Sequence, residues 1–179
     1  MARCNQMSNL PPLPKPENQE RGKRNRAEGK AFEALLDKSF EYFNSKGFCQ
    51  IDKTPEPMKI LKRMPGGKFL ACFLKKAQPD YKGIVKGGRS VVYEAKYTSQ
   101  DRASQSIVND EQTGYMDKAY SLGARCFILL GYSTGGVYCI PWHVWSDMKK
   151  YYGRKYVTEK DIQQYRISAS WNDRLMIPV

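Results

Sequence analysis

The chain has 179 residues, 41% of them hydrophobic and 12% aromatic, enough for one sizeable core but hardly two, so a single domain is expected. Thirty Lys and Arg against eighteen Asp and Glu give a formal charge of +12 and a pI near 9.5, a balance that favours a polyanionic partner, nucleic acid before any other. No apolar run approaches the ~20 residues that span a bilayer and no strongly basic amphipathic helix is evident, which argues against a membrane partner.

Residues 1–25 join a Pro-rich stretch, Pro11-Pro12-Leu13-Pro14-Lys15-Pro16, to the basic run Arg21-Gly22-Lys23-Arg24. This composition buries little surface and predicts a flexible basic arm ahead of one domain at 26–179. The arm has neither the apolar segment nor the cleavage pattern of an export signal, so a cytoplasmic location is expected. Five cysteines, Cys4, Cys49, Cys72, Cys126 and Cys139, are odd in number, lack Cys-x-x-Cys spacing and mostly sit in apolar runs, which predicts reduced, packed thiols. With His143 as the sole histidine, zinc fingers and histidine-rich metal sites are disfavoured, whereas a carboxylate site remains open. A lone histidine following Trp142 at a helix start is assigned no role.

From 27 to 43, Phe32, Leu35, Leu36, Phe40 and Phe43 recur at helical spacing, and Gly47 supplies the stop. Strand-like segments follow at 48–52, 58–64 and 68–74, the last two joined by Pro65-Gly66-Gly67 as a β-hairpin. Between Glu56 and Asp80 no acidic residue occurs, while Lys59, Lys62, Arg63, Lys68, Lys75 and Lys76 do, so this projection carries a strong positive field. A second hairpin runs from Asp80 through Lys86-Gly87-Gly88-Arg89 to Tyr97, and a polar loop leads to Asn109. Asn109 with Gln112 forms a capping-box pattern for a helix over 110–122, stopped at Gly123. The apolar run 124–132 reads as a buried central strand that turns at Ser133-Thr134-Gly135-Gly136 into a third hairpin. A helix is expected from Pro141 onward, and another from a Thr158 cap through Tyr165.

On a strand, residues two apart share a face, so Glu94 and Lys96 project together. Asp80 joins them only if the hairpin register allows it. A three-residue loop, Lys86-Gly87-Gly88, pairs Val85 with Arg89 and sets Asp80 opposite Glu94; a two-residue Gly87-Gly88 turn puts them on opposite faces. The spacing therefore predicts an odd-length loop or a bulge. Two carboxylates on adjacent strands suit a hard divalent cation such as Mg²⁺, and the neighbouring ammonium of Lys96 suits the attacking water or the developing negative charge of a phosphodiester. Glu33 lies in line with Leu36 and Phe40, which faces it inward and makes it a candidate metal ligand, or a partly exposed residue at the stripe's edge. Gln112 aligns with Tyr115, Met116 and Ala119, either as cap or as substrate contact.

Pro79-Asp80 with Glu94-Ala95-Lys96 resembles the signature of the PD-(D/E)XK nuclease superfamily. Over 25–167 the likeness is to the RecU family of Holliday junction resolvases, carried in order by Gly29-Lys30-Ala31-Phe32-Glu33, Lys53-Thr54-Pro55-Glu56-Pro57, Asp80-Tyr81-Lys82-Gly83-Ile84, Tyr93-Glu94-Ala95-Lys96, Glu111-Gln112, Gly123-Ala124-Arg125-Cys126-Phe127-Ile128 and Tyr152-Gly153-Arg154-Lys155. The resemblance implies a restriction-endonuclease-like α/β core, with a mixed central sheet flanked by helices and a basic β-hairpin stalk at about 56–76. It further implies a cytoplasmic homodimer that nicks opposing strands of four-way DNA junctions in recombination and repair. Asp80, Glu94, Lys96 and Gln112 would be catalytic, with Mg²⁺ (or Mn²⁺ as substitute) on Asp80, Glu94 and Glu33. DNA contacts are expected from Arg24, Arg26, Lys30, Lys59, Lys62, Arg63, Lys68, Lys75 and Lys76. Val92 stands where some relatives carry Asp, and the stalk is shorter than usual, so metal number and junction preference stay open. The competing readings are a PD-(D/E)XK nuclease of another repair or restriction type and a non-catalytic junction-binding protein.

Overall fold

The structure, a computed structural model, describes residues 16–55, 57–73, 78–169 and 174–179. Its centre is a five-stranded sheet in the order β1 (Cys49–Lys53), β4 (Tyr81–Val85), β5 (Arg89–Thr98), β7 (Arg125–Tyr132), β8 (Val137–Pro141). β5 and β7 are parallel and the other neighbouring pairs antiparallel, which gives the expected mixed sheet. The parallel pair needs a crossover, and α2 (Asp110–Ser121) supplies it.

Strand alternation sorts the core into two layers. Val91, Tyr93, Leu129 and Cys139 face α1 (Pro16–Ser45), whose Phe32, Leu36, Phe40 and Phe43 form the apolar stripe read from the sequence. Val92, Cys126, Ile128, Leu130 and Ile140 face Met116 of α2 and the tryptophans of α3 (Trp142–Ser146), with Met148 of α4 (Met148–Tyr152) beside them. The C-terminal residues Leu175 and Ile177 close the α1 side; Leu175 N–H donates to the buried Ser39 hydroxyl at 2.9 Å, and Tyr93 Oη donates to Pro178 C=O at 2.5 Å. This strap has no periodic signature in the sequence.

α1 begins at Pro16, so residues 16–25 of the expected flexible arm are helical, while 1–15 lie outside the described residues. Pro suits the first helical turn, where its missing N–H costs nothing, and Arg24 is 3.8 Å from Glu28 one turn on. The polar loop after β5 contains a strand, β6 (Arg102–Ser104), which pairs with β9 (Tyr156–Thr158) and seats Ala103 and Val157 in the core. No helix runs from Thr158 to Tyr165: Thr158 donates its N–H and hydroxyl to Asp161 Oδ2, and only a 3-10 turn, Gln163–Tyr165, follows. Cys49, Cys126 and Cys139 are buried free thiols, but Cys72 is exposed.

β2 (Met58–Arg63) and β3 (Phe69–Phe73) form the expected hairpin as a separate two-stranded sheet with a bulge at Leu61. Lys59, Lys62, Arg63 and Lys68 are exposed, as are Met58, Ile60, Leu61, Met64, Phe69 and Leu70. Glu56, Lys75 and Lys76 lie outside the described residues. Among the described residues no helix is long and apolar enough to cross a membrane.

Candidate active site

The β4–β5 turn decides the geometry. Val85 pairs with Arg89 across the three residues Lys86, Gly87 and Gly88, and Gly88 N–H returns to Val85 C=O at 3.0 Å. Gly87 and Gly88 hold φ of 94° and 81°, a region that favours glycine. The pairs step back from there to Tyr81 with Tyr93, so the next residues, Asp80 and Glu94, stand opposite each other. The odd-length loop required by the sequence reading is present. Asp80 is tied further by its own carboxylate, which accepts Ala95 N–H at 2.9 Å.

Glu94 is fully buried, at 0% exposure, on the α2 side of the sheet. Lys96 Nζ lies 2.8 Å from Glu94 Oε1 and its side chain remains 20% exposed, so the ammonium bridges the buried carboxylate and the surface. Gln112 caps the helix as one of its two readings expects, and it also reaches the Glu94–Lys96 pair. Its Oε1 accepts Asn109 N–H at 3.2 Å, completing the capping box, and also accepts Lys96 Nζ at 3.1 Å, while its Nε2 donates to Glu94 Oε1. The cap of α2 therefore fixes a polar arm over the Glu94–Lys96 pair.

Glu94 Oε2 has no partner although it is buried. Burial pushes the Glu94 carboxyl up to about 7, the Asp80 carboxylate pushes it the same way, and Lys96 opposes both. An orphan carboxylate oxygen beside a second carboxylate fits a hard dication, which would relieve both penalties. Such an ion would supply Lewis-acid polarisation of a phosphate oxygen and an acidified water. Asp80 and Glu94 would hold it; Lys96, held by Gln112, would sit to neutralise charge developing on the phosphate.

The raised Glu94 pKa also has a sign. A carboxyl whose folded pKa lies above its unfolded one stabilises the fold when protonated, so this contribution is present below about pH 4.3 and lost as pH rises through about 7. In EDTA, Glu94→Gln should therefore gain on the parent between pH 5 and 8, by on the order of 3 kcal/mol, read from paired urea midpoints. A parent–variant difference that stays flat with pH would contradict a buried carboxylate whose desolvation Lys96 only partly offsets.

Glu33 does not join this group. It is 49% exposed, and Lys53 Nζ sits 2.9 Å from it and 3.0 Å from Asp37. The expectation that it faces inward fails because it lies at the edge of the α1 stripe. Alternation then separates it from the carboxylates: Lys53 and Tyr81 are paired and turn toward α1, with Tyr81 Oη donating to Asp37 at 2.6 Å, whereas Asp80 and Glu94 turn the other way. Among the described residues no cluster of three or more His, Cys, Asp or Glu side chains is arranged to hold a metal. Val92 is buried in the apolar core and offers no further carboxylate. Burial lowers and the Glu33 and Asp37 contacts raise the Lys53 pKa, and the contacts win. The sequence reading missed Lys53 as the partner of Glu33, although both stand in the quoted motifs. It also missed Thr54, which donates its N–H to Asp80 C=O at 2.8 Å.

A family model described as Recombination protein U, RecU, matches residues 27–179. The chain belongs to the RecU family. Among curated RecU relatives it is 28% identical over 112 residues to the Holliday junction resolvase RecU of Streptococcus gordonii, covering 59% of this chain and 56% of that one. The Holliday junction resolvase RecU of Streptococcus equi subsp. zooepidemicus is 32% identical over 112 residues, covering 59% and 55%. The chain thus spans a little over half the length of the RecU proteins it matches. Among solved structures, Archaeoglobus fulgidus Hjc, a Holliday junction resolvase, aligns with a TM-score of 0.45 at 10% identity over 73% of this chain and 92% of that one.

Proposed function

We propose that this RecU-family chain is a Mg²⁺-dependent, structure-selective endonuclease that nicks opposing strands of a four-way DNA junction, with Mn²⁺ as a working substitute. The observation that carries the reading is the row of Asp80 and Glu94, with an orphan Glu94 oxygen on one side and the Lys96–Gln112 arm on the other. Asp80, Glu94, Lys96 and Gln112 form the working set, with the cation on the two carboxylates. Two opposed strands need two such centres, so the active form is a homodimer.

The β2–β3 hairpin supports branched rather than linear DNA as substrate. Its exposed Lys59, Lys62, Arg63 and Lys68 meet phosphates, while Phe69 and Leu70 offer apolar surface to bases unstacked at a branch point. Exposed Arg26 and Lys30 on α1 extend the basic surface, as does Arg24, itself shared with Glu28.

Labelled four-way, flap and linear substrates incubated with Mg²⁺ test the reading: symmetric nicks should appear in the junction, and equal cutting of linear duplex would overturn junction selectivity. Changing Lys59, Lys62, Arg63 and Lys68 together to Ala should weaken junction binding by ~10²-fold at moderate salt and flatten the log K against log salt slope by about 3. Salt titrations that give the parental slope would remove the hairpin from the DNA.

A further inference from the structure

Thr54 stands one residue beyond β1, in a part of the Lys53-Thr54-Pro55-Glu56-Pro57 motif that the site described above does not use. The β1–β4 register runs from Cys49 with Val85 to Lys53 with Tyr81, and the 2.8 Å bond from Thr54 N–H to Asp80 C=O carries it one step further. Directly paired residues share a face, with Cβ atoms about 4.5–5.5 Å apart. Lys53 and Tyr81 turn toward α1, so Thr54, Asp80 and Glu94 form one row across three strands on the opposite face. Pro55, the residue that follows, confines Thr54 to extended backbone.

Thr54 is 5% exposed, and its Oγ1 has no hydrogen-bond partner. Buried hydroxyls are almost always paired, and an orphan marks a place for a water or an ion. In this row two of the three side chains carry such an orphan oxygen, Thr54 Oγ1 and Glu94 Oε2, and they flank Asp80. A hydroxyl both donates and accepts, which suits a water better than direct capture of a hard cation already offered two carboxylates.

We propose that Thr54 is a positioning residue of the cation site, its hydroxyl holding a hydration water of the cation on the Asp80 side. This rests on the reading of Asp80 and Glu94 as cation ligands. The hydroxyl contributes through that water and takes no part in bond breaking.

Mn²⁺ titrated into the intact protein and followed by electron paramagnetic resonance tests the assignment with parent, Thr54→Val, Thr54→Ser and Asp80→Asn. Thr54→Val should weaken Mn²⁺ about tenfold and shrink the Mn²⁺-induced rise in melting temperature, while Thr54→Ser keeps nearly parental affinity. Without cation, Thr54→Val should melt at or above the parental temperature, because the lost hydroxyl had no partner. A purely structural threonine predicts the reverse, a lower cation-free melting temperature with unchanged Mn²⁺ affinity, and that result overturns the proposal. So does a serine variant as weak as valine. If Asp80→Asn loses Mn²⁺ while Thr54→Val binds it normally, only the role of Thr54 falls. If the parent binds no Mn²⁺ above background, or Asp80→Asn binds it as tightly as the parent, the cation site itself falls and Thr54 with it.

Discussion

Glu94→Gln should cut junction cleavage by at least ~10³-fold while leaving junction binding within a few-fold of the parent. The substitution keeps the shape of the side chain and its contact with Gln112, but removes the charge that Lys96 answers at 2.8 Å and the anionic oxygen that would meet a cation. Asp80→Asn should behave in the same way. Binding survives because the exposed cations of the β2–β3 hairpin and of α1 are untouched. Gel-shift assays in EDTA and cleavage assays in Mg²⁺, run on the same preparations, separate the two effects. Parental cleavage by either variant would return the chain to the class of junction-binding proteins without activity, whereas parallel loss of binding and cleavage would indicate a folding defect.

Gly83→Ala is expected to be the most damaging single methyl group in the sheet. Gly83 pairs with Ile51 on one side and Val91 on the other, at the middle of two ladders. A Cβ there would lie 1.9 Å from Gln50 O, 2.6 Å from Ile51 Cα and 2.8 Å from Gln50 C, all backbone atoms of β1. No side chain can swing away, so β1 must part from β4. The cost should be at least ~3 kcal/mol, a fall of roughly 6–12 °C in melting temperature for a domain of this size. Because Thr54 and Asp80 lie at the end of the same ladder, cleavage should fail at temperatures where the protein is still folded. Gly114→Ala on α2, where a Cβ meets nothing within 4 Å, is the control and should be neutral or stabilising. A change below ~1 kcal/mol at Gly83 would show that β1 and β4 are spaced more loosely than the structure has them.

Much of the site was legible because it depends on local rules. The parity of the Lys86–Gly87–Gly88 loop follows from counting residues between two strands, and it set Asp80 opposite Glu94 without knowledge of the rest of the fold. The Asn109–Gln112 cap was legible for the same reason, since the motif spans a single turn. Glu33 was misjudged because helical periodicity gives a direction around one helix and says nothing about which sheet face lies beneath it. Its separation from Asp80 depends on the β1–β4 pairing, a contact between segments far apart in sequence. The same reason hid the partnership of Lys53 with Glu33 and Asp37. The helix start at Pro16 was missed because composition weighed more heavily than the favourable place of proline in a first turn. The Thr158 segment failed differently: Thr158 gives its hydroxyl to Asp161 instead of accepting a helix N–H, so a capping residue became a turn donor. The C-terminal strap could not be foreseen, as Leu175 and Ile177 are held by contacts to α1 and the sheet rather than by any repeat of their own.

The basic hairpin leaves the sheet after Thr54 and the chain rejoins it at Asp80, and these two residues are hydrogen-bonded neighbours. The sheet is thus closed beneath the hairpin as if nothing had been inserted. Because loop-closure entropy grows only slowly with length, this interval can lengthen, shorten or be exchanged while the ladder that aligns the carboxylates stays the same. On the proposed function, hydrolysis and shape recognition would then be separable modules in this scaffold, and the interval between Thr54 and Asp80 would be the place at which to graft a hairpin of different reach for another branched DNA.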